Sequence, residues 1–227
     1  DKPLFDKQTK LAVKDWRGIR GSSIGVFRRH MRRMVQAGQS GIFVDARSSR
    51  EKSLNEEILK IKGGHIYVID IAQLYEHEQM LVFGDLLKSI YSLKAEQPED
   101  RTEPIPEKVI FFVDELNKYA PAGSRPSPLT ELVLEIAERG RSLGVILISA
   151  QQFMSAVHER VTGNCATKII GRSSSTELNQ PDYRFLDNEI KSNATRLSKG
   201  DLILSHAVYR QPVKISFPEP AYKQQES

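Results

Sequence analysis

Short apolar runs alternate with helical patterns over the C-terminal two thirds of the chain. The runs Val109–Val113 and Val145–Ser149 are almost continuously apolar, which is typical of strands buried on both faces. Between them, residues 128–140 have helical spacing and end at Gly140, a residue type favoured at a left-handed helix cap. Strands that alternate with helices predict an α/β fold, with a largely parallel sheet flanked by helices.

Further elements are predicted on either side of this region. A helix with a basic outer face is expected within residues 15–37, where Ser22 and Ser23 are candidate N-caps. The apolar run at 41–45 is too short to decide between strand and loop. The other predicted strands cover residues 65–71, 167–171, 201–206 and 213–217, and the other predicted helices cover 80–93 and 176–190.

The length and composition predict one main domain with an extension. A chain of 227 residues with 39% hydrophobic content can bury one good core. The pattern changes near residue 63, so we expect a basic helical extension at 1–63 and the α/β domain at 64–227. A net charge of +4 is a mild excess that is compatible with a nucleic acid partner.

The cysteine and hydropathy patterns exclude several classes of protein. A single cysteine, Cys165, excludes an intramolecular disulfide and a multi-cysteine metal cluster. No apolar run approaches the roughly 20 residues that a membrane-spanning helix needs. We therefore expect a cytoplasmic protein without a membrane partner.

Two acidic residues, Asp114 and Glu115, follow the first central strand. In an open parallel sheet the ligand crevice lies beyond the carboxyl ends of the strands. There the first carboxylate can hold the water shell of a magnesium ion on a nucleotide's phosphates, and the second can orient the attacking water. The pattern has the form of a Walker B motif. Alternatively, Asp114 caps a turn and Glu115 is simply solvated.

Amide and guanidinium groups lie on the neighbouring predicted elements. Gln151 follows the second central strand, where an amide can hydrogen-bond the lytic water or be an ordinary strand-end side chain. Arg139 is expected in the last turn of the preceding helix, as a favourable charge at its end. Arg141 follows Gly140, so we expect it outside the helix, where it can reach an anion.

Three stretches, residues 109–121, 127–152 and 171–190, resemble the C-terminal part of HerA/FtsK-type ATPases. The resemblance covers residues 64–220, and its most specific part runs from Val109 to Gln152. It implies a RecA-like core, a ring of six subunits, and ATP-driven movement on double-stranded DNA as a translocase or helicase. ATP and Mg²⁺ are the cofactors that it implies.

The resemblance also implies roles for individual residues. A magnesium ligand, a water-activating acid, a γ-phosphate sensor and a strand-end sensor amide are expected at Asp114, Glu115, Arg141 and Gln151, respectively. Arg139 is a second candidate for contact with the nucleotide. Arg172 is a candidate for contact with a neighbouring subunit's nucleotide.

A phosphate-binding loop is missing from the pattern. Such a loop reads G-x-x-x-x-G-K-[ST], because backbone amides cradle the phosphates and a lysine reaches the β and γ oxygens. No such string occurs in the 227 residues. We expect the loop to lie upstream of Asp1 in a longer protein, and the alternative is a degenerate relative that no longer hydrolyses ATP.

Two basic regions are candidates for contact with DNA phosphates. One lies on the predicted N-terminal helix and contains Arg28, Arg29, Arg32 and Arg33. The other is the linker 118–128, in which Lys118 and Arg125 could line the pore of a ring. The alternatives are a solvated helix face and a rigid surface loop.

Two functions of other classes compete with the motor. The chain could be a catalytically silent module that forms a ring or docks a partner nuclease. It could also be a metal-dependent nuclease with Asp114 and Glu115 as ligands, which would require a lysine two residues beyond an acid on the same strand. Lys118 lies three residues beyond Glu115, so the nuclease is disfavoured.

Overall fold

The structure is a computed structural model that describes residues 15–16, 19–36, 52–96, 104–123 and 126–218. The chain divides into two compact units, the first comprising residues 1–60 and 65–86 and the second residues 61–64 and 87–227. None of the helices within the described ranges is long and apolar enough to cross a bilayer.

The first unit contains a short hairpin and the predicted N-terminal helix. Strands β1 (Asp15–Trp16) and β2 (Ile19–Arg20) pair antiparallel, and α1 (Gly21–Gln36) follows directly. The helix is confirmed, but it begins at Gly21. Ser22 and Ser23 therefore lie inside its first turn, and their predicted role as N-caps is wrong. A short helix, α2 (Leu54–Ile58), and the first part of α3 (Glu76–Glu96) complete the described part of this unit.

The strand predicted at residues 65–71 does not form. This segment has no β-pairing within the described part of the chain, and its apolar side chains face solvent, with Ile66 92% and Val68 86% exposed. Alternating β-branched residues favour an extended backbone, but a strand also needs a partner for its backbone hydrogen bonds. The prediction of a strand at residues 65–71 is therefore wrong in the described structure.

A parallel pair of strands forms the centre of the second unit. Strand β3 (Val109–Asp114) pairs in register with β4 (Val145–Ala150), and α4 (Pro128–Leu143) connects them. The later part of α3 packs here through Leu87, Ile90 and Leu93, all 3% exposed or less. Its Tyr91 hydroxyl donates to Glu135 Oε1 on α4 at 2.9 Å.

The two central strands bury one face more than the other. Phe111 and Val113 are buried, whereas Ile110 and Phe112 are 61% and 71% exposed. The continuous apolar run predicts burial on both faces. In the described structure this expectation holds for one face only.

Helix α4 ends one turn later than the sequence predicts. Ser127 caps its start by accepting a hydrogen bond from the backbone N–H of Thr130 at 3.1 Å, and Gly144 ends it with φ of 70°. Gly140 is a buried residue inside the helix, where a Cβ atom would lie 2.8 Å from the carbonyl oxygen of Val145. This glycine is therefore required for close packing against β4, and the predicted cap at Gly140 is wrong.

The last three strands form a separate antiparallel sheet in the order β5–β6–β7, instead of extending the parallel pair. They are β5 (Thr167–Ile170), β6 (Asp201–His206) and β7 (Val213–Ser216). Ile170 and Ile203 of this sheet belong to a buried core cluster that also includes Leu178. The α/β class with a parallel sheet and helices is confirmed, although fewer strands are parallel than the alternation predicts.

Three short helices lie between β4 and β6, the first before β5 and the other two after it. They are α5 (Glu159–Asn164), α6 (Ser175–Leu178) and α7 (Asn188–Ala194). The single helix predicted at 176–190 is divided, because Pro181 starts a separate 3₁₀ turn and Asp187 caps α7 through the backbone N–H of Ile190.

Candidate functional site

Polar side chains follow both strands of the parallel pair at its carboxyl edge. The register pairs Asp114 with Ala150, and the backbone N–H of Glu115 donates to the carbonyl oxygen of Ala150 at 2.7 Å. Glu115 and Gln151 are therefore the first residues beyond the two paired positions, on strands about 4.8 Å apart. The structure brings these sequence-predicted residues together.

Glu115 has an unusual backbone conformation. Its φ and ψ are both 54°, and it is the one non-glycine residue with positive φ in the described ranges. The left-handed conformation costs a residue with a Cβ atom about 1–2 kcal/mol. The following residue, Leu116, is fully buried and starts a 3₁₀ turn, Leu116–Lys118. The chain thus bends sharply at Glu115 and presents its side chain at the strand end.

Glu115 is also half of an ion pair. Its Oε2 contacts Nζ of Lys118 across the turn, and the backbone N–H of Lys118 donates to the carbonyl oxygen of Glu115 at 2.9 Å. The side chains of both residues are nearly half exposed. Burial raises the pKa of the adjacent Tyr119 hydroxyl, an effect that Lys118 opposes and Glu115 reinforces. Tyr119 is buried, so it does not line an open surface.

Gln151 contributes an unsatisfied acceptor. Its Oε1 atom is buried and has no hydrogen-bond partner among the described residues. Leaving a buried acceptor unsatisfied costs about 1–3 kcal/mol, so each such group calls for a physical explanation. A donor on a bound ligand would supply the missing hydrogen bond.

Asp114 is an exposed carboxylate at the end of β3. No group of three or more His, Cys, Asp or Glu side chains that could hold a metal is found in the described part of the chain. Magnesium is commonly bound by one or two carboxylates together with water and substrate phosphates. A single aspartate fits that mode of binding, in which the nucleotide supplies the other ligands.

The segment after Gln151 is held by a residue that sequence reasoning missed. Glu177 on α6 is 6% exposed, and its carboxylate accepts from the backbone N–H of Ser155 at 3.0 Å and from its Oγ at 2.6 Å. The pKa of the Tyr183 hydroxyl is raised by burial and by its hydrogen bond to Glu177. The string Ser174-x-x-Glu177 has the form of a capping box, but it does not indicate that the carboxylate is buried, because a single acid in a short helix usually faces solvent.

The two arginines between α4 and β4 lie elsewhere. Arg139 and Arg141 are in the last turns of α4, which precede the amino end of β4, whereas Gln151 follows its carboxyl end. A six-residue strand separates these ends by roughly 17 Å. Arg141 is thus inside the helix, so the expectation that it lies outside the helix is wrong, and within a single chain it does not lie at the strand end that carries Asp114. Arg139 forms an exposed ion pair in which its Nη1 atom lies 3.7 Å from Oε1 of Glu135.

Solved structures resemble this chain, although no protein-family model and no curated protein matches its sequence. The genome packaging NTPase B204 from Sulfolobus turreted icosahedral virus 2, in complex with AMP, aligns with a TM-score of 0.50 at 14% identity, over 74% of this chain and 73% of that chain. The chain shares its fold with that NTPase. At this identity the likeness shows the fold alone, and it confirms the RecA-like α/β class expected from the sequence.

Two further structures align at slightly lower scores. The same NTPase in complex with ATP-gammaS gives a TM-score of 0.49 at 14% identity, over 74% of this chain and 72% of that chain. B204, the DNA-packaging ATPase from Sulfolobus Turreted Icosahedral Virus, gives 0.48 at 13% identity, over 87% of this chain and 93% of that chain.

The other predicted site residues are distributed over the chain. Arg172 is exposed and lies between β5 and α6. Arg28 is half-buried and Arg29 exposed on α1. The side chains of Arg32 and Arg33, and all of Arg125, lie outside the described residues, as does the apolar run 41–45. Contact of any of these arginines with DNA stays a prediction.

Proposed function

We propose that this chain belongs to an ATP-driven, HerA-like motor that moves along double-stranded DNA, and that it supplies the Walker B strand and the sensor of the ATPase site. The observation that carries the proposal is the position of Glu115 and Gln151 at one sheet edge, each directly after the last paired residue of its strand. Both residues bear a local energetic cost, a left-handed backbone in one and an unsatisfied buried oxygen in the other. Such costs cluster at functional sites.

The chemistry follows from the side chains at this edge. The Asp114 carboxylate would hold the water shell of Mg²⁺. The Glu115 carboxylate would accept a hydrogen bond from the attacking water and orient it, and the Gln151 amide would contact the same water or a phosphate oxygen. MgATP would supply the phosphoryl group and the charge that lowers the barrier to attack. These roles require only that the three side chains stay at the edge where β3 and β4 end.

The phosphate-binding loop must come from outside these 227 residues, since the string G-x-x-x-x-G-K-[ST] does not occur in them. We therefore propose that a longer protein provides it, and that this chain alone binds MgATP weakly. Calorimetric titration of the chain with MgATP tests this point, and tight binding would contradict it.

Subunit contacts complete the proposed motor. Arg139 and Arg141 lie at the opposite end of β4 from Gln151, so a role in sensing the γ-phosphate requires a neighbouring subunit's nucleotide. Arg172 is a second candidate for that role. We propose a ring, of six subunits by the resemblance, with a nuclease as a further partner.

The decisive experiment replaces Glu115 by Gln in a protein that also contains the phosphate-binding loop. DNA-stimulated ATP hydrolysis should fall by about 10²-fold or more, while nucleotide affinity stays within about twofold, because only transition-state stabilisation is lost. The exposed Glu189→Gln on α7 is the matched control and should leave turnover unchanged. Retained hydrolysis in Glu115→Gln would refute the assignment.

A second candidate is a catalytically silent module that forms a ring or docks a nuclease. The absence of the phosphate-binding string favours it. The two functions differ in one measurement on the full-length protein, since a silent module would assemble and bind its partner without hydrolysing ATP.

A further inference from the structure

We propose that Lys118 is a positioning residue that holds the Glu115 carboxylate until the phosphate backbone of DNA takes up its ammonium group. This inference rests on the proposed function, because it assigns a regulator to the same site. When Lys118 exchanges Glu115 for a DNA phosphate, the same exchange would bind DNA and release the Glu115 carboxylate to activate water.

The ion pair occupies the carboxylate that the proposed water activation needs. Oε2 of Glu115 contacts Nζ of Lys118. A carboxylate oxygen engaged by an ammonium group is a poorer acceptor for the attacking water. While the pair persists, Glu115 is held across its own turn.

The Glu115–Lys118 ion pair can open without unfolding the turn Leu116–Lys118. The backbone N–H of Lys118 donates to the carbonyl oxygen of Glu115 at 2.9 Å, independently of the side chains. Leu116 is fully buried and fixes the first residue of the turn. Release of Glu115 therefore needs only side-chain rotations.

A DNA phosphate can compete with Glu115 for the ammonium group of Lys118. The side chains of Lys118 and Glu115 are 44% and 49% exposed, so a polyanion can approach the ammonium group directly. An exposed ion pair shifts an equilibrium by about fivefold at most. A DNA backbone offers a dense row of phosphates and gains further from the release of its counterions. The intramolecular pair is thus weak enough to be exchanged for a phosphate contact.

Linkage gives a test that requires no ATP and no phosphate-binding loop. If DNA and Glu115 compete for Lys118, removing the Glu115 charge must raise the affinity for DNA. We expect Glu115→Gln to tighten binding of a short duplex by about threefold to fivefold, measured by fluorescence anisotropy on this chain at fixed salt. Lys118→Gln should weaken binding.

The matched control is Glu57→Gln. Glu57 also pairs with a lysine three residues away, Lys60, at 2.9 Å, and its replacement changes the net charge equally. This variant reports the general effect of removing one negative charge. The double variant Glu115→Gln/Lys118→Gln reports whether the gain depends on Lys118, and we expect the gain to disappear in it.

Three outcomes would overturn the proposal. The first is that the chain does not bind the duplex. The second is that Glu115→Gln raises the affinity for DNA no more than Glu57→Gln does. The third is that the rise in affinity persists in the double variant. The proposed ATPase function fails on a different result, retained hydrolysis in Glu115→Gln, so the two failures can be told apart.

Carbodiimide cross-linking provides a second measurement on the unmodified sequence. The reagent joins a paired carboxylate and amine as an amide, with loss of one water, and the product appears as a missed tryptic cleavage at Lys118. Saturating duplex should lower the yield of the Glu115–Lys118 product at least about threefold, and leave the Glu57–Lys60 product unchanged. Equal loss of both products would indicate simple screening and would contradict the exchange.

Discussion

The two ends of the segment that follows β4 differ in how well their polar groups are satisfied. At Gln151 a buried amide oxygen lacks a partner in the described structure, and the adjacent strand end carries the left-handed Glu115. Four residues later, Ser155 has both its backbone N–H and its hydroxyl bound by the buried carboxylate of Glu177. One polypeptide segment thus joins an unsatisfied region to a satisfied one.

The difference indicates which region binds a ligand and which supports it. A satisfied buried network rigidifies a structure, and the bonds from Glu177 fix the position of the segment that follows Gln151. The unsatisfied region retains costs of a few kcal/mol that a bound partner can offset. If this interpretation is correct, substitutions in the two regions must change stability in opposite directions.

The largest expected effect lies in the satisfied region. Glu177→Ala removes the acceptor of two hydrogen bonds from Ser155 and of one from the Tyr183 hydroxyl, and it leaves the half-buried backbone N–H of Ser155 without this partner. We expect a loss of about 3 kcal/mol in the free energy of unfolding, since bonds to charged groups contribute about 1.5–3 kcal/mol each. Urea denaturation measures it, with the exposed Glu189→Ala as a control that should change little.

An effect of opposite sign is expected at Gln151. Gln151→Leu removes the unsatisfied oxygen and should raise the free energy of unfolding by about 1 kcal/mol, because a buried acceptor no longer lacks a partner. The neighbouring Gln152 is exposed, so Gln152→Leu should have almost no effect. Destabilisation by Gln151→Leu would indicate that the amide is bound by the protein itself, and would remove the contrast between the two regions.

Glu115 allows a test of the backbone cost. Glycine adopts positive φ without a Cβ clash, but loses more entropy on folding. The net result for Glu115→Gly is a stabilisation of about 0.5 kcal/mol. Asp114→Gly, one residue earlier in the strand, has no such relief and should cost about 1 kcal/mol. Equal losses in both variants would show that the left-handed conformation is not strained.

Patterns of neighbouring residues predicted the two parallel strands and their shared carboxyl edge better than they predicted the elements around them. The apolar run before Asp114 and the run before Gln151 each define a strand, and parallel strands bring their carboxyl ends together. The location of Arg141 could not be obtained in this way. Whether α4 ends at Gly140 or at Gly144 depends on packing against β4, which a single sequence does not show.

The same limit explains two other differences. Residues 65–71 have the composition of a strand, but pairing depends on a partner edge that composition does not specify. Glu177 belongs to the satisfied region because its helix faces the segment around Ser155. No local signal distinguishes a buried glutamate from an exposed one.

The smallest effect is expected at the surface of the antiparallel sheet, at Asp201. Hydrogen bonds from Lys214, and then from Ser216, lower the pKa of Asp201 below its usual value. A carboxyl group with a lowered pKa in the folded state contributes stability above its unfolded pKa, and this contribution is lost as the pH falls through the folded value. Asp201→Asn should therefore reduce the pH dependence of the free energy of unfolding below about pH 4 and leave the free energy near pH 7 almost unchanged.

Denaturant midpoints measured from pH 7 to pH 2 test this prediction for Asp201→Asn, and Lys214→Gln should reproduce most of the change. A large loss at pH 7 in either variant would mean that surface ion pairs, and not only buried groups such as Glu177, determine the stability of this region.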